Sequence, residues 1–371
     1  MRRSTRKAIR HVLFFLLVLF LVIYLTTPTT PTSSKTFPWT KVQYKTTSTT
    51  LPPAQGKCPD LTSASKPALV VASVQADDKA WLIPLSKKYH TCIYTADTPP
   101  HPKEEEKTEE YLKTPKNRGN EAMTYLTFLI DNYSNIPHAG VVFVHGSRFA
   151  WHNDHPQYDN LALLRDLNIE SALGEGRSYH NLRCDWSLST CPSDVKPQGS
   201  LENKVQAALV PYDNRAVSDS LVPKSLARIF GNGVVPDAEM ARSDTLKSQC
   251  CAQFVVSRAG IHQHSQGEYV ALRQWLLDEG PGAATGNDKH AGRVLSYVWH
   301  ILFVRRETVR DGEGLDLELL NREACPRAEV CYCRVYGRCG LEGCGKGSCR
   351  GQYRLPKDLK VPEKWGEGGL K

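Results

Sequence analysis

The densest collection of chemically capable side chains is His145-Gly146-Ser147-Arg148 followed by Trp151-His152-Asn153-Asp154-His155. Imidazole and carboxylate donors packed this closely in sequence suit a divalent cation, Mn²⁺ or Mg²⁺. His145, His152 and Asp154 are the candidate ligands, and Arg148 is a candidate partner for phosphate. The other reading of the loop is imidazoles that hydrogen-bond backbone carbonyls. A second candidate is Asp77-Asp78, adjacent carboxylates that could receive ribose hydroxyls or a cation. Asp77 could equally cap a following helix. A third is Lys116-Asn117-Arg118-Gly119-Asn120-Glu121, where a basic, glycine-containing approach to a helix suits an anion. Glu121 there would otherwise only complement the helix dipole. Finally, Tyr179 to Trp186 mixes aromatic, amide and acidic groups around Cys184 and Asp185, as a sugar-lining loop or a tied-down surface loop would.

Several chemistries lack their motifs. There is no G-x-S-x-G, no Walker loop, no G-x-G-x-x-G and no H-E-x-x-H. Serine-hydrolase, nucleotide-triphosphatase, dinucleotide and zincin readings therefore have no support.

The elements that must position these residues are legible as alternating strands and helices. Ala68 to Val74 is a continuous apolar run, the pattern of a strand buried on both faces. Trp81 to Tyr89 reads as a helix and Thr91 to Tyr94 as a short strand. Ala122, Tyr125, Leu126, Leu129, Ile130 and Tyr133 recur at helical spacing, with Asn120 as the expected N-cap. Val141 to Val144 is a second buried strand, so Asp77-Asp78 and the His145 loop both follow strand ends. Later elements are helices over Asn160–Leu167, Leu201–Leu209, Pro223–Phe230 (Pro223 in the first turn), His262–Asp278 and Arg293–Phe303, and a strand over Gln253–Ser257. This order predicts an α/β fold, a mostly parallel mixed sheet flanked by helices, plus a small disulfide-rich C-terminal tail.

The ends of the chain carry different signals. Five of the cations that make up the net charge of +8 precede residue 12, which leaves about +3 for the rest and weak support for nucleic acid as a partner. They lead into the apolar run Val12 to Leu25. The positive-inside rule then predicts a single N-terminal span with residues 1–11 in the cytosol and 12–27 in the membrane, a type II membrane protein of the Golgi or secretory pathway. A cleaved signal peptide, and so a secreted protein, is the alternative. Residues 28–60 are rich in Ser, Thr and Pro and read as an extended stem. Residues 61–308 form the expected α/β domain and 309–371 the Cys-rich tail. Twelve cysteines fit an oxidising compartment. Six of them, Cys325 to Cys349, suggest a self-contained stapled module; Cys184 could pair with Cys191, Cys250 and Cys251 with distant partners, and Cys92 reads as a core thiol. Asn132-Tyr133-Ser134 is a glycosylation sequon at a helix end.

Several motifs together carry a resemblance. They are Asn117 to Leu126, Phe143 to Asp154, Asn181 to Trp186, Cys250 to Arg258 and Trp299 to Phe303. In these the chain resembles a fungal family of proteins of unknown function, DUF3431, over about residues 65–305, with stem and tail outside. It departs from the family pattern at Asn120 and Ser73, where the family tends to carry Arg. More loosely, the layout looks like GT-A glycosyltransferases, although His145-Gly146 stands where those carry Asp-x-Asp. That likeness implies transfer of a sugar from a nucleotide-sugar donor to a glycan acceptor. Asp77, Asp78 and Arg148 would then meet the nucleotide, its diphosphate or its metal, and Glu121 or Asp185 would be the base that activates the acceptor. The competing expectations are a non-catalytic, membrane-tethered binding protein and a metal-dependent hydrolase built on the His/Asp loop.

Overall fold

The computed structural model describes residues 3–26, 35–97, 111–231, 238–304, 309–310 and 314–353. Its centre is a six-stranded sheet. In chain order the strands are β2 (Ala68–Ser73), β3 (His90–Thr95), β4 (Leu112–Lys113), β5 (Val141–His145), β6 (Tyr179–Asn181) and β7 (Phe254–Val256). A second sheet joins β1 (Thr36–Phe37) to β8 (Val309–Arg310) and β9 (Gly314–Asp316) in the order β1-β9-β8.

The large sheet runs β4-β3-β2-β5-β7-β6. β2 is parallel to β3 and β5, and β3 to β4, while β7 is antiparallel to both β5 and β6. The sheet is thus mixed and mostly parallel, as the strand–helix alternation predicts. The chain builds outward from β2 through β3 to β4, then returns to lay β5 on the other side of β2. That reversal opens a crevice at the carboxyl ends of β2 and β5.

Side chains of the central strands alternate between two cores, as the period of two requires. Val70, Tyr94, Phe143 and Phe254 face one apolar cluster; Leu69, Val71, Val142 and Val255 face the other. The first cluster is covered by α2 (Glu121–Asp131), α8 (Gln266–Leu277), α9 (Asp288–Ser296) and α10 (Val298–Phe303). The second lies under a 3₁₀ run, Ala80–Lys87, with α3 (Asn160–Asp166) and α12 (Ala328–Tyr336). Pro84 within that run explains why it is not the α-helix expected near Trp81. Remaining helices are α1 (Arg3–Thr26), α4 (Ile169–Ala172), α5 (Leu201–Leu209), α6 (Asn214–Phe230), α7 (Arg258–Ile261) and α11 (Leu317–Ala324). Pro223 sits inside α6, because Asp213 caps that helix ten residues earlier by accepting from Arg215 and Ala216 N–H. The single C-terminal helix expected over Arg293–Phe303 is broken at Tyr297 into α9 and α10.

The expected membrane span, and with it the membrane as a partner, is corrected. Among the described residues no helix is long and apolar enough to cross a membrane. α1 is 24 residues, but its uninterrupted apolar stretch is only Val12 to Leu25. At 1.5 Å per residue that is ~21 Å, against a hydrocarbon core of ~30 Å.

The stem is also more structured than its composition suggests. Phe37 and Trp39 are fully buried and stack at 4.1 Å between ring centroids. Trp39 Nε1 donates to the Ala238 carbonyl, and the Asp278 carboxylate gathers Tyr44, Thr46, Thr47 and Ser48. A few aromatic anchors thus fasten a chain that is otherwise Ser, Thr and Pro. The sequon asparagine is inside: Asn132 is 2% exposed, accepts from Cys58 N–H and donates to the Gly56 carbonyl.

The cysteines pair differently from the expectation. Cys58 joins Cys92, Cys184 joins Cys331, and Cys191 joins Cys325. Cys250 joins its neighbour Cys251, and Cys333–Cys339 and Cys344–Cys349 close short loops. The C-terminal cysteines are therefore not a separate module. Two of them fasten the tail to the loop around Asp185, and Tyr332 and Val335 complete the second core.

Candidate functional site

At the crevice, the loops after β2 and β5 are bound to each other through Asp77. Its Oδ2 accepts from Val74 N–H at 2.9 Å and its Oδ1 from Ser147 Oγ at 3.1 Å. Gly146 lies between them, its N–H on the Ala72 carbonyl at 2.6 Å. A Cβ on Gly146 would come 2.5 Å from Ser73 Cβ and 2.7 Å from Asp77 Oδ2, so only glycine fits. Asp78 is exposed and takes the capping role, accepting from Ala80 N–H at the start of the 3₁₀ run. Asp97, after β3, accepts from Gln75 N–H and closes the third side.

Beside this crevice lies a cavity of about 260 Å³. Its wall includes Glu121, His145, Trp151, His152, Lys289 and the Cys250–Cys251 pair. Glu121 is the first residue of α2. Burial pushes its carboxyl up to about 7. It enters α2 through Gly119 and Asn120, both at positive φ (66° and 55°). Asn120 makes no side-chain cap, contrary to expectation. Its amide instead rests against Gly292 of α9, where a Cβ would come 2.6 Å from Asn120 Nδ2.

His145 and His152 meet edge on, Nε2 to Nε2 at 2.6 Å, with Asn153 Oδ1 at 3.1 Å from His145 Nε2. One imidazole donates and the other accepts. Burial and the neighbouring His152 push His145 down to about 3; burial and Arg183 push His152 down to about 4. Both rings are neutral at physiological pH.

The remaining predicted residues are used elsewhere. Asp154 is 2% exposed and accepts from Cys184 N–H, Asp185 N–H, Tyr332 OH and Tyr353 OH. No lone pair of it is left for a cation. Among the described residues, the groups with metal-ligand spacing are Cys58/His90/Cys92 and Glu329/Cys344/Cys349, neither of which includes the predicted trio, and their cysteines are in disulfides. The donor set His145, His152 and Asp154 thus does not fit Mn²⁺ or Mg²⁺. Arg148 is bidentate on Asp159, Nε to Oδ1 at 2.9 Å and Nη2 to Oδ2 at 2.8 Å, which engages its fork. Asp185 accepts from Ser187 N–H, Arg183 and Gln352. Despite burial, these hydrogen bonds hold its carboxyl below the usual range, unsuited to a base near neutrality.

Sequence reasoning missed Lys289 and the Cys250–Cys251 wall. Nothing in the local pattern marks Lys289, and the adjacent cysteines, though conspicuous in sequence, give no sign of a cavity; they reach it through the packing of α9 and the turn before β7. Gln249 adjoins them, 5% exposed, with its Oε1 unpartnered among the described residues. A buried acceptor on a cavity wall calls for a donor from a ligand or water.

The family of proteins of unknown function DUF3431 matches residues 69–334 of this chain. The match extends past the expected limit near residue 305 and takes in Cys325 and Cys331, the partners of Cys191 and Cys184. No curated protein and no solved structure matches.

Proposed function

The chain belongs to the DUF3431 family, whose description names no activity, and from the site alone we propose a glycosyl-transfer enzyme in which Glu121 is the general base. The observation that carries the reading is the Glu121 carboxyl, raised to about 7 at the wall of a cavity beside the β2/β5 crevice. A base tuned near ambient pH is what proton abstraction from a hydroxyl needs. The donor is a nucleotide sugar bound at the crevice, where open α/β sheets receive nucleotides. The Asp77 and Asp78 carboxylates are the groups suited to ribose hydroxyls there.

The acceptor hydroxyl gives its proton to Glu121 as its oxygen attacks the anomeric carbon. The bond from that carbon to the diphosphate oxygen breaks, and the nucleoside diphosphate leaves with the electron pair. Lys289, exposed on the cavity wall and without a carboxylate partner among the described residues, supplies positive charge toward the leaving group. Trp151, 67% exposed, offers a flat apolar face for a sugar ring. Six disulfides are compatible with a secretory-pathway setting.

The second reading, a non-catalytic binding protein, is favoured by the internal commitment of Asp154, Arg148 and Asp185. A thermal-shift screen with nucleotide sugars, with and without Mn²⁺, separates the two. Stabilisation by one donor class is expected; no response to any donor would overturn the transferase.

A further inference from the structure

A second, larger cavity of about 450 Å³ shares no lining residue with the first. Its wall is made by β6, the approach to β6, α11 and α12, and includes Glu175, Arg177, His180, Arg322, Glu323 and Arg334. The charges there do not balance. Arg177 donates to Glu175 Oε2 at 2.5 Å and to the Ala172 and Ser171 carbonyls. Arg322 pairs with Glu323 at 3.9 Å. Arg334 has no hydrogen-bond or ion-pair partner among the described residues. It is half-buried; desolvation and repulsion from Arg177 disfavour its charge more than Glu175 and Glu323, each already paired with another arginine, favour it. Three arginines thus face two carboxylates, and one guanidinium, a fork built for planar oxyanions, is left without a direct partner.

His180 adds a second, independent requirement. It is 5% exposed, and its Nδ1 lies 2.8 Å from the Asn181 carbonyl. A carbonyl only accepts, so Nδ1 carries the proton and Nε2 is a lone-pair acceptor. That Nε2 has no partner among the described residues. Burial, with Arg334 and Arg177 nearby, pushes the ring down to about 4, so it stays neutral. The wall thus carries one guanidinium without a direct partner and, on His180, one enclosed nitrogen without a donor: it suits one negative charge and one hydroxyl.

We propose that this cavity binds a sugar acid, its carboxylate on Arg334 and a neighbouring hydroxyl donating to His180 Nε2. A single uncompensated cation favours a carboxylate over a dianionic phosphate. The site is independent of Glu121 and stands or falls apart from the transfer reaction.

The test is calorimetric titration of the full chain with glucuronate, glucose, acetate and glucose 6-phosphate. Saturable glucuronate binding is expected, with glucose, acetate and glucose 6-phosphate at least about tenfold weaker, because each leaves a polar group of the site unmet or adds a charge it does not balance. Arg334→Gln should abolish it, Arg334→Lys should weaken it, and Glu121→Gln should leave it unchanged. An unchanged denaturation midpoint without ligand certifies the fold of each variant. Absence of glucuronate binding overturns the proposal. So does binding that survives Arg334→Gln, an acetate or glucose 6-phosphate affinity equal to that of glucuronate, or loss on Glu121→Gln alone, which would move the ligand to the first cavity.

Discussion

His145 Nε2 and His152 Nε2 lie 2.6 Å apart in a half-buried pocket, too close for both imidazoles to be protonated. Both folded-state values fall below the ordinary 6.5, to about 3 and about 4. The unfolded chain therefore takes up protons near pH 6.5 that the folded chain refuses. Stability is full above about 6.5 and is lost as pH falls toward about 4. Urea midpoints between pH 4 and 7 should show this slope, and His152→Gln should flatten it. His180 and His300, shifted the same way, keep part of the slope in that variant. A variant slope equal to that of the wild type would contradict the pair's role.

Asp154 should behave as a structural hub. Asp154→Ala leaves two backbone N–H groups and two tyrosine hydroxyls without their acceptor. A loss of about 3 kcal/mol in urea unfolding is expected, on the scale of a broken buried charged network. The stability of the wild type should not respond to Mn²⁺ through this residue. A mild effect below ~1 kcal/mol would show that the network relaxes.

Gly146→Ala should disturb the crevice. The added carbon meets Ser73 and Asp77 at 2.5–2.7 Å, so the two loops must separate. Overpacking of this kind costs about 1–3 kcal/mol. A nucleotide-sugar response in the thermal-shift screen should weaken in parallel. Full retention of both stability and response would place the ligand elsewhere.

Opening the Cys184–Cys331 bond by Cys331→Ser frees a loop of 147 residues. Chain-entropy arguments give at most about 5 kcal/mol for a loop of this length. Limited proteolysis should then cut the tail after α10 faster than in the wild type. An unchanged cleavage rate would show that Cys191–Cys325 and the packing of Tyr332 and Val335 hold the tail without this bond.

Strands β2, β3, β5 and β7, the α2 helix and the two crevice loops were legible because apolar periodicity and strand-end rules are local; β1, β4, β6, β8 and β9, two or three residues each, are too short to carry a period. Burial on both faces of β2 and β5 writes itself as unbroken runs, Ala68 to Ser73 and Val141 to Val144. The site was only half legible. Which of several carboxylates is poised depends on its partners, and those come from far along the chain. Asp154 is silenced by Tyr332 and Tyr353, and Asp185 by Gln352, residues some 170 to 200 positions away. The Cys184–Cys331 and Cys191–Cys325 bonds were illegible for the same reason, since spacing cannot encode a partner 147 or 134 residues distant. The buried stem followed from two aromatics, Phe37 and Trp39, against a composition that argues for extension.

The central claim is that Glu121 accepts the acceptor's proton. Its most direct measurement is the rate of nucleoside diphosphate release from a nucleotide sugar between pH 5 and 9, for the wild type and Glu121→Gln. The wild-type rate should rise about tenfold per pH unit and level off near the carboxyl's value of about 7. Glu121→Gln should lose the rise and at least about a hundredfold in kcat with KM little changed. A Glu121→Gln enzyme that follows the wild-type profile, or a wild type that turns over no donor, would contradict it.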